Sequence, residues 1–433
     1  MNRHVPSTGV GAIRWSTVAW VFAVAAISYL DRNNLSIAIA PIQEKFGLTD
    51  IEIGTIFSAF VFGYAFVQPW AGHLADRFGP HKLIACSLAL WSALTIAFTL
   101  VPAGLPWSFL LLLLVRVLLG IGEAVIFPAG NRMIANWIPM QERGLANGII
   151  FAGVGVGGAV APPLITSFML AGYWEGSFYA CAALGIMALV LWLILVRESP
   201  ADDPRVSETE LAHIMGGMPN PVAPSENRNW RSFVMDRQIR VLTASYFCYG
   251  YVAYIFFTWF FKYLSEIRHL DLKASAIYAM LPFIAMTVAS PLGGYISDQM
   301  LPRFGYRVAR CGFAGVSMVV ASGFVGLATQ VTDARFAAAI LAGGAGSLYL
   351  AQSVYWTLSA DIGGKSAGTL SGIMNMGCQV GGVVTASLTP IVAKDFGWTG
   401  SFILASLVGA LGGMLWLAVA PGREKHIRAL SVR

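Results

Sequence analysis

Gly72-His73-Leu74-Ala75-Asp76-Arg77-Phe78-Gly79-Pro80-His81-Lys82 is a short basic loop between two long apolar runs. Its elements return after a later apolar run as Gly294-Tyr295-Ile296-Ser297-Asp298 and Arg303-Phe304-Gly305. Two more echoes follow at nearly the same offset. Gly148 to Gly157-Gly158 is answered by Gly372 to Gly381-Gly382, and Trp174-Glu175-Gly176-Ser177-Phe178 by Trp398-Thr399-Gly400-Ser401-Phe402. Three echoes at roughly 222–224 residues are the internal repeat expected of a transporter built from two related halves.

Outward from that loop, apolar runs lie near residues 15–40, 51–73, 82–102, 107–135, 144–171, 175–196, 239–264, 274–297, 308–329, 335–360, 366–393 and 398–420. Each is long enough to cross a bilayer as a helix, for which about 20 apolar residues suffice. The chain has 433 residues, 57% hydrophobic and 12% charged, about half the charged fraction of an ordinary soluble domain. The expected fold is all-α: a polytopic membrane protein of twelve spans in two pseudo-symmetric halves. Residues 1–196 form the first half and 239–433 the second, which ends in a short cytoplasmic tail. Residues 197–238, with Pro200, Pro204, Pro219, Pro221 and Pro224 among charged residues, read as a cytoplasmic linker.

Arg3 and Arg14 ahead of the first run superficially resemble a signal peptide, but that run is too long and too many follow. The net charge of +6 comes from loops and not from a nucleic-acid surface. With a cytoplasmic N-terminus, about twenty Lys and Arg fall on that side, about six on the other and two inside the membrane, as the positive-inside rule requires. Both termini are therefore expected in the cytoplasm, in the cell's inner membrane. Cys86, Cys181, Cys248, Cys311 and Cys378 stand singly in apolar runs and read as small buried hydrophobes.

The segment from Gly72 to Lys82 resembles the loop motif of the major facilitator superfamily. Physically it is a tight glycine-bounded turn. Its Asp76 can meet a helix N-terminus or an Arg of a neighbouring span while the inner side is closed. Gly72, Asp76, Arg77, Gly79, Asp298 and Arg303 are the candidate gating residues. Three further stretches are similar to the anion:cation symporter branch, which includes sugar-acid importers. They are Tyr29-Leu30-Asp31-Arg32-Asn33-Asn34-Leu35-Ser36, Arg116-Val117-Leu118-Leu119-Gly120-Ile121-Gly122-Glu123-Ala124, and the stretch Gly372–Gly382 with Asn375 and Gln379. That resemblance implies that Asp31 and Glu123 carry protons and that Arg32 binds an anionic substrate.

Asp31, Arg32, Arg116 and Glu123 are the ionisable residues expected inside the membrane, where a charge is costly unless paired or wet. Arg116 and Glu123 are two helical turns apart on one face, with Gly120 between them. The expected partner is Asp31, meeting Arg116 when ionised and releasing it when protonated, a proton-dependent switch. Arg32 projects about 100° away from Asp31, free to take a substrate carboxylate bidentately. No charge is expected deep in spans seven to twelve. Tyr246, Tyr249, Tyr254, Trp259, Tyr349, Gln352, Tyr355, Ser371, Asn375 and Gln379 supply polar and aromatic groups there. Substrate contacts are assigned to Arg32, Tyr29, Tyr64, Asn375, Gln379, Ser371 and Tyr355. The plain alternatives are a structural ion pair for Asp31 and Arg116, and interhelical polar glue for Asn375 and Gln379.

The expected function is import of a small organic anion, an aldonate or hexuronate, by proton symport through alternating access, with protons as coupling ion and no other cofactor or metal. The alternatives are an anion exchanger, an importer of glucarate, tartrate or an aromatic acid, a drug exporter, and a membrane enzyme. The six histidines, at 4, 73, 81, 213, 269 and 426, have neither metal nor triad spacing. The lipid bilayer is the expected surrounding, nucleic acid is not a partner, and a monomer is the default.

Overall fold

A computed structural model describes residues 11–48, 50–218, 234–260, 263–264, 268–270 and 272–419. The linker prolines Pro219, Pro221 and Pro224 and the tail after residue 419 lie outside the described residues. Among the described residues all regular structure is helical, with no strand. In lipid a helix satisfies its own backbone hydrogen bonds, which open strands cannot do.

The rods follow the apolar runs. Spans one to three are Ile13–Ile37, Asp50–Phe78 and Pro80–Thr99. Span four is Ser108–Glu123 continued by Ile126–Trp137, and spans five and six are Arg143–Leu170 and Glu175–Leu195. Span seven is Arg237–Thr258, span eight Leu272–Tyr306, span nine Phe313–Ala328 and span ten Ala334–Gly363. Ala367–Leu415 supplies spans eleven and twelve, separated at Gly397, whose φ of 70° no helix tolerates. Gly305, with φ 74°, turns the chain out of span eight in the same way. Only glycine takes that left-handed backbone without a Cβ clash.

Hydropathy and length together pick out eight apolar helical stretches among the described residues. Met280–Ala328 and Ala334–Thr385 each run through a turn into the next rod. Span seven carries Tyr246, Tyr249, Tyr251 and Tyr254, all but the last buried at 2% exposure or less. Elsewhere Phe62, Leu90, Leu114, Ile186, Leu193, Val316 and Leu407 are exposed. An apolar surface of this extent is stable against lipid and not against water.

Span two packs on span eleven and span five on span eight, and glycines set both distances. A Cβ on Gly72 would overlap the Gly368 carbonyl, and one on Gly294 would overlap the Gly144 carbonyl. Both contacts lie at the end of the bundle where the linker docks. There the linker helix Glu208–Gly216 is capped by Ser207 Oγ, which accepts from Glu210 N. Buried Glu210 accepts from Arg14 N at 3.1 Å, and Arg14 Nε donates to Glu142 Oε2 at 2.8 Å. His213 Nε2 lies 3.0 Å from the same carboxylate. The helix thus ties the start of span one to the start of span five. Cys181, Cys248, Cys311 and Cys378 are buried as expected, but Cys86 is exposed, because its side of span three is not covered by another helix.

Candidate functional site

Four ionisable side chains converge between spans one and four. Arg32 Nε donates to Glu123 Oε2 at 2.8 Å, and Ser28 Oγ donates to the same oxygen at 2.9 Å. The Arg32 guanidinium lies 4.7 Å from the Tyr29 ring centroid, 4.2 Å from that of Tyr64 and 5.1 Å from that of Phe60. Asp31 Oδ2 accepts from Thr95 Oγ1 of span three at 3.0 Å. The Arg116 guanidinium lies 4.8 Å from the Phe60 ring.

This pairing differs from the sequence expectation. Asp31 and Arg116 form no ion pair within 4 Å among the described residues; Thr95 holds the carboxylate and an aromatic face holds the guanidinium. Arg32, expected to be free for substrate, is already engaged by Glu123. Each of the four has one buried polar atom without a hydrogen-bond partner: Asp31 Oδ1, Arg32 Nη2, Arg116 Nε and Glu123 Oε1. Unsatisfied groups of this kind are costly, and four together mark a cluster able to accept protons, water or an anion.

Beside this cluster, a cleft of about 420 Å³, counting its open mouth, lies between the first six and the last six spans. Tyr29, Tyr64, Phe127, Phe151 and Val154 form one wall, and Tyr246, Tyr249, Tyr254, Tyr349, Gln352 and Trp356 are on the other with Asn375, Cys378 and Gln379. Phe127 and Phe151 stack at 5.1 Å, and both touch Trp356. Tyr246 Oη accepts from Gln352 Nε2 and from Trp356 Nε1, each at 2.8 Å. Tyr254 Oη donates to Gln379 Oε1 at 2.5 Å. Tyr29, Tyr64, Asn375 and Gln379 therefore come together around the cleft.

Three residues assigned to substrate do not line it: Arg32 sits behind the rings of Tyr29 and Tyr64, and Ser371 and Tyr355 point elsewhere. Ser371 Oγ donates back to Gly368 O of its own helix at 3.1 Å. Tyr355 Oη is spent between Ser245 Oγ at 2.6 Å, Trp416 Nε1 at 3.0 Å and Met318 Sδ at 2.7 Å. Both side chains have protein partners and pack away from the cleft in this structure. Trp259, among the polar groups named in the second half, is also absent from the lining.

At the linker end two carboxylates cap helices of the opposite set of spans. Asp76 accepts from Gly368 N at 3.0 Å, Thr369 N at 2.7 Å and Thr369 Oγ1 at 2.6 Å, at the start of span eleven. Asp298 accepts from Gly144 N at 3.1 Å and Leu145 N at 2.7 Å, at the start of span five. Helix N-termini present free N–H groups and a positive dipole end, so a carboxylate is favoured there. Arg132 Nε lies 3.7 Å from Asp76, and Arg310 Nη2 lies 2.7 Å from Asp298. Gly72 and Gly79 flank Asp76, Gly79 with φ 93° at the turn. Arg77 and Arg303 are exposed and join neither cap.

Sequence reasoning missed several residues. Arg310 and Asp361 were not singled out, and both are buried beside Asp298, the gating carboxylate named from the sequence. They gather at the linker end, where Arg143 Nη1 donates to Asp361 Oδ1 at 2.8 Å and Tyr306 Oη donates to Asp361 Oδ2 at 2.9 Å. The available signal was an acidic residue closing each of spans eight and ten. Phe127, Phe151 and Trp356 gave none, since an aromatic in an apolar run reads as core.

The sequence profile described as Major Facilitator Superfamily matches residues 21–386. The probable sulfoacetate transporter of Cupriavidus necator is 35% identical over 400 residues, spanning 90% of each chain. The hexuronate transporter of Bacillus subtilis is 28% identical over 408 residues, 93% of each. Among solved structures, a proton:xylose symporter bound to 6-bromo-6-deoxy-D-glucose superposes with a TM-score of 0.75 at 14% identity, over 97% of this chain and 99% of that one.

Proposed function

This chain belongs to the Major Facilitator Superfamily as a multi-pass transporter of organic anions, and we propose that it imports a sugar acid, an aldonate or hexuronate, together with protons. The observation that carries this reading is the cluster of Asp31, Arg32, Arg116 and Glu123, each with an unpartnered buried atom, beside an aromatic and amide-lined cleft. With both carboxylates ionised, the cluster is electrically balanced. Protonating Glu123 removes the charge that holds Arg32 and frees its guanidinium for the anion's carboxylate. Asp31, whose carboxylate accepts from Thr95, takes the second proton.

The anion enters the cleft, the two sets of spans rock about it, and inward release of the anion accompanies release of the protons. Asp76 and Asp298 hold the linker end shut while the cleft loads, and that end faces the cytoplasm. Tyr29, Tyr64, Asn375 and Gln379 orient the substrate. The protein works as a monomer in the inner membrane, with both termini in the cytoplasm. Carrying at least one proton per monoanion avoids the opposing membrane potential, about 2.3 kcal/mol per charge per 100 mV.

A second reading, uptake of a small sulfonate, is favoured by the 35% identity to a probable sulfoacetate transporter. The test is uptake into proteoliposomes of galactonate, glucuronate, glucarate, sulfoacetate and an aromatic acid, with and without an inward proton gradient. Gradient-driven accumulation of a sugar acid, lost in Asp31→Asn, is expected. Exchange insensitive to the gradient, or accumulation of sulfoacetate alone, overturns the coupling or the specificity respectively.

A further inference from the structure

Two buried polar groups in the wall of the cleft make no hydrogen bond of ordinary geometry to the protein, although the Tyr349 phenol is near enough to Tyr249 to interact with it. Tyr249 Oη is one, on a residue 2% exposed, and Gln352 Oε1 is the other, on a residue 4% exposed. Both residues line the cleft. Gln352 Nε2 donates to Tyr246 Oη, which also accepts from Trp356, leaving Oε1 as the open acceptor. A phenol hydroxyl able to donate and an amide oxygen able to accept together match one aliphatic hydroxyl, which does both.

These groups belong to spans seven and ten, across the cleft from Tyr29 and Tyr64, whose rings hold Arg32. We propose that Tyr249 and Gln352 form a hydroxyl-reading subsite, so that the transporter selects anions bearing a hydroxyl remote from the carboxylate over unhydroxylated anions of equal charge and length. The proposal rests on the organic-anion reading above and adds to it the residues that decide substrate class. The selection arises because an anion without that hydroxyl leaves both groups desolvated and unpaired, whereas a hydroxylated one satisfies them. A site built to hydrogen-bond a hydroxyl rejects the analogue lacking it far more strongly than an apolar pocket rejects a missing methylene.

The experiment measures binding of gluconate and hexanoate, six-carbon monocarboxylates with and without hydroxyls, to the purified full-length protein by calorimetry. Wild type is expected to bind gluconate about 10- to 100-fold tighter than hexanoate. Tyr249→Phe and Gln352→Leu should each reduce that ratio about tenfold by weakening gluconate alone. Tyr249→Phe removes a hydroxyl that makes no hydrogen bond of ordinary geometry to the protein, so its melting temperature should fall little, and the variant stays informative. Equal binding of the two acids by wild type, or an equal loss of both in the variants, overturns the subsite while leaving anion transport standing. Binding of neither acid overturns the subsite together with the reading beneath it.

Discussion

Arg32 Nε donates to Glu123 Oε2 at 2.8 Å, joining span one to span four through a carboxylate that has no exposure to solvent. An entering anion must therefore compete with Glu123 for the guanidinium, whose Nη2 is still unpartnered. Glu123→Gln removes the competing charge while leaving an amide oxygen for Ser28 and Arg32. The variant is expected to bind the anion as tightly as wild type or up to about tenfold tighter, and to lose gradient-driven accumulation. Calorimetry and proteoliposome uptake report the two effects separately. Accumulation at the wild-type level would remove Glu123 from the coupling. Glu123→Ala, by contrast, strands a buried guanidinium at a cost of about 3–5 kcal/mol and should express poorly.

Arg32 is held by geometry as well as charge. Its guanidinium stacks between Tyr29 and Tyr64 at 4.7 and 4.2 Å, contacts that a lysine ammonium does not reproduce as a planar fork. Arg32→Lys keeps the charge, so the fold should persist, but KM for the transported acid should rise about 10- to 100-fold. An unchanged KM in uptake assays would show that Arg32 serves only as a partner for Glu123.

The contacts of Asp76 with Gly368 and Thr369 and of Asp298 with Gly144 and Leu145 make two capping sites that hold one closed end. Losing a cap costs about 0.5–2 kcal/mol. Asp76→Ala and Asp298→Ala should each shift the balance toward an open linker end about 2- to 30-fold, and together the shifts should multiply. Ser359 is buried there and accepts from Asn131 Nδ2 at 2.9 Å across the two sets of spans. With Cys86→Ala removing the exposed thiol, alkylation of Ser359→Cys by a maleimide should accelerate in both backgrounds. Unaltered rates would mean that neither carboxylate holds the end shut.

Much of this arrangement was legible in the sequence, and the limits have definite causes. The spacing of Gly72, Asp76, Gly294 and Asp298 carried the repeat, because a tight turn and a capping carboxylate leave residue-specific marks. Asp31, Arg32, Arg116 and Glu123 stood out because charge is rare in apolar runs. Their partners did not. Helical phase says which face a residue occupies but not the height or rotation of one helix against another, so Asp31 was matched with Arg116 where the fold matches Glu123 with Arg32. Arg143, Arg310 and Asp361 lie near span ends, where a buried ion pair and a solvated loop charge look alike in sequence. Ser371 could not be told apart in sequence from an open hydroxyl, because a hydroxyl satisfied by its own helix reads the same.

Tyr355 shows how the same ambiguity can be tested. Its hydroxyl is the junction of spans seven, nine, ten and twelve, meeting Ser245 Oγ, Met318 Sδ and Trp416 Nε1. Ser245 Oγ donates to Gly412 O, so the Tyr355 hydroxyl is the group left to accept from the indole. Tyr355→Phe strands the buried Trp416 N–H, and the loss should be about 1–3 kcal/mol, read as a lower melting temperature of the purified protein. Trp416→Phe in that background removes the stranded donor and should recover part of the loss, since the two positions share one bond. KM for the transported acid should stay within about twofold throughout, because an interaction confined to the packing makes no contact with substrate. A KM raised more than about tenfold at an unchanged melting temperature would return Tyr355 to the binding cleft.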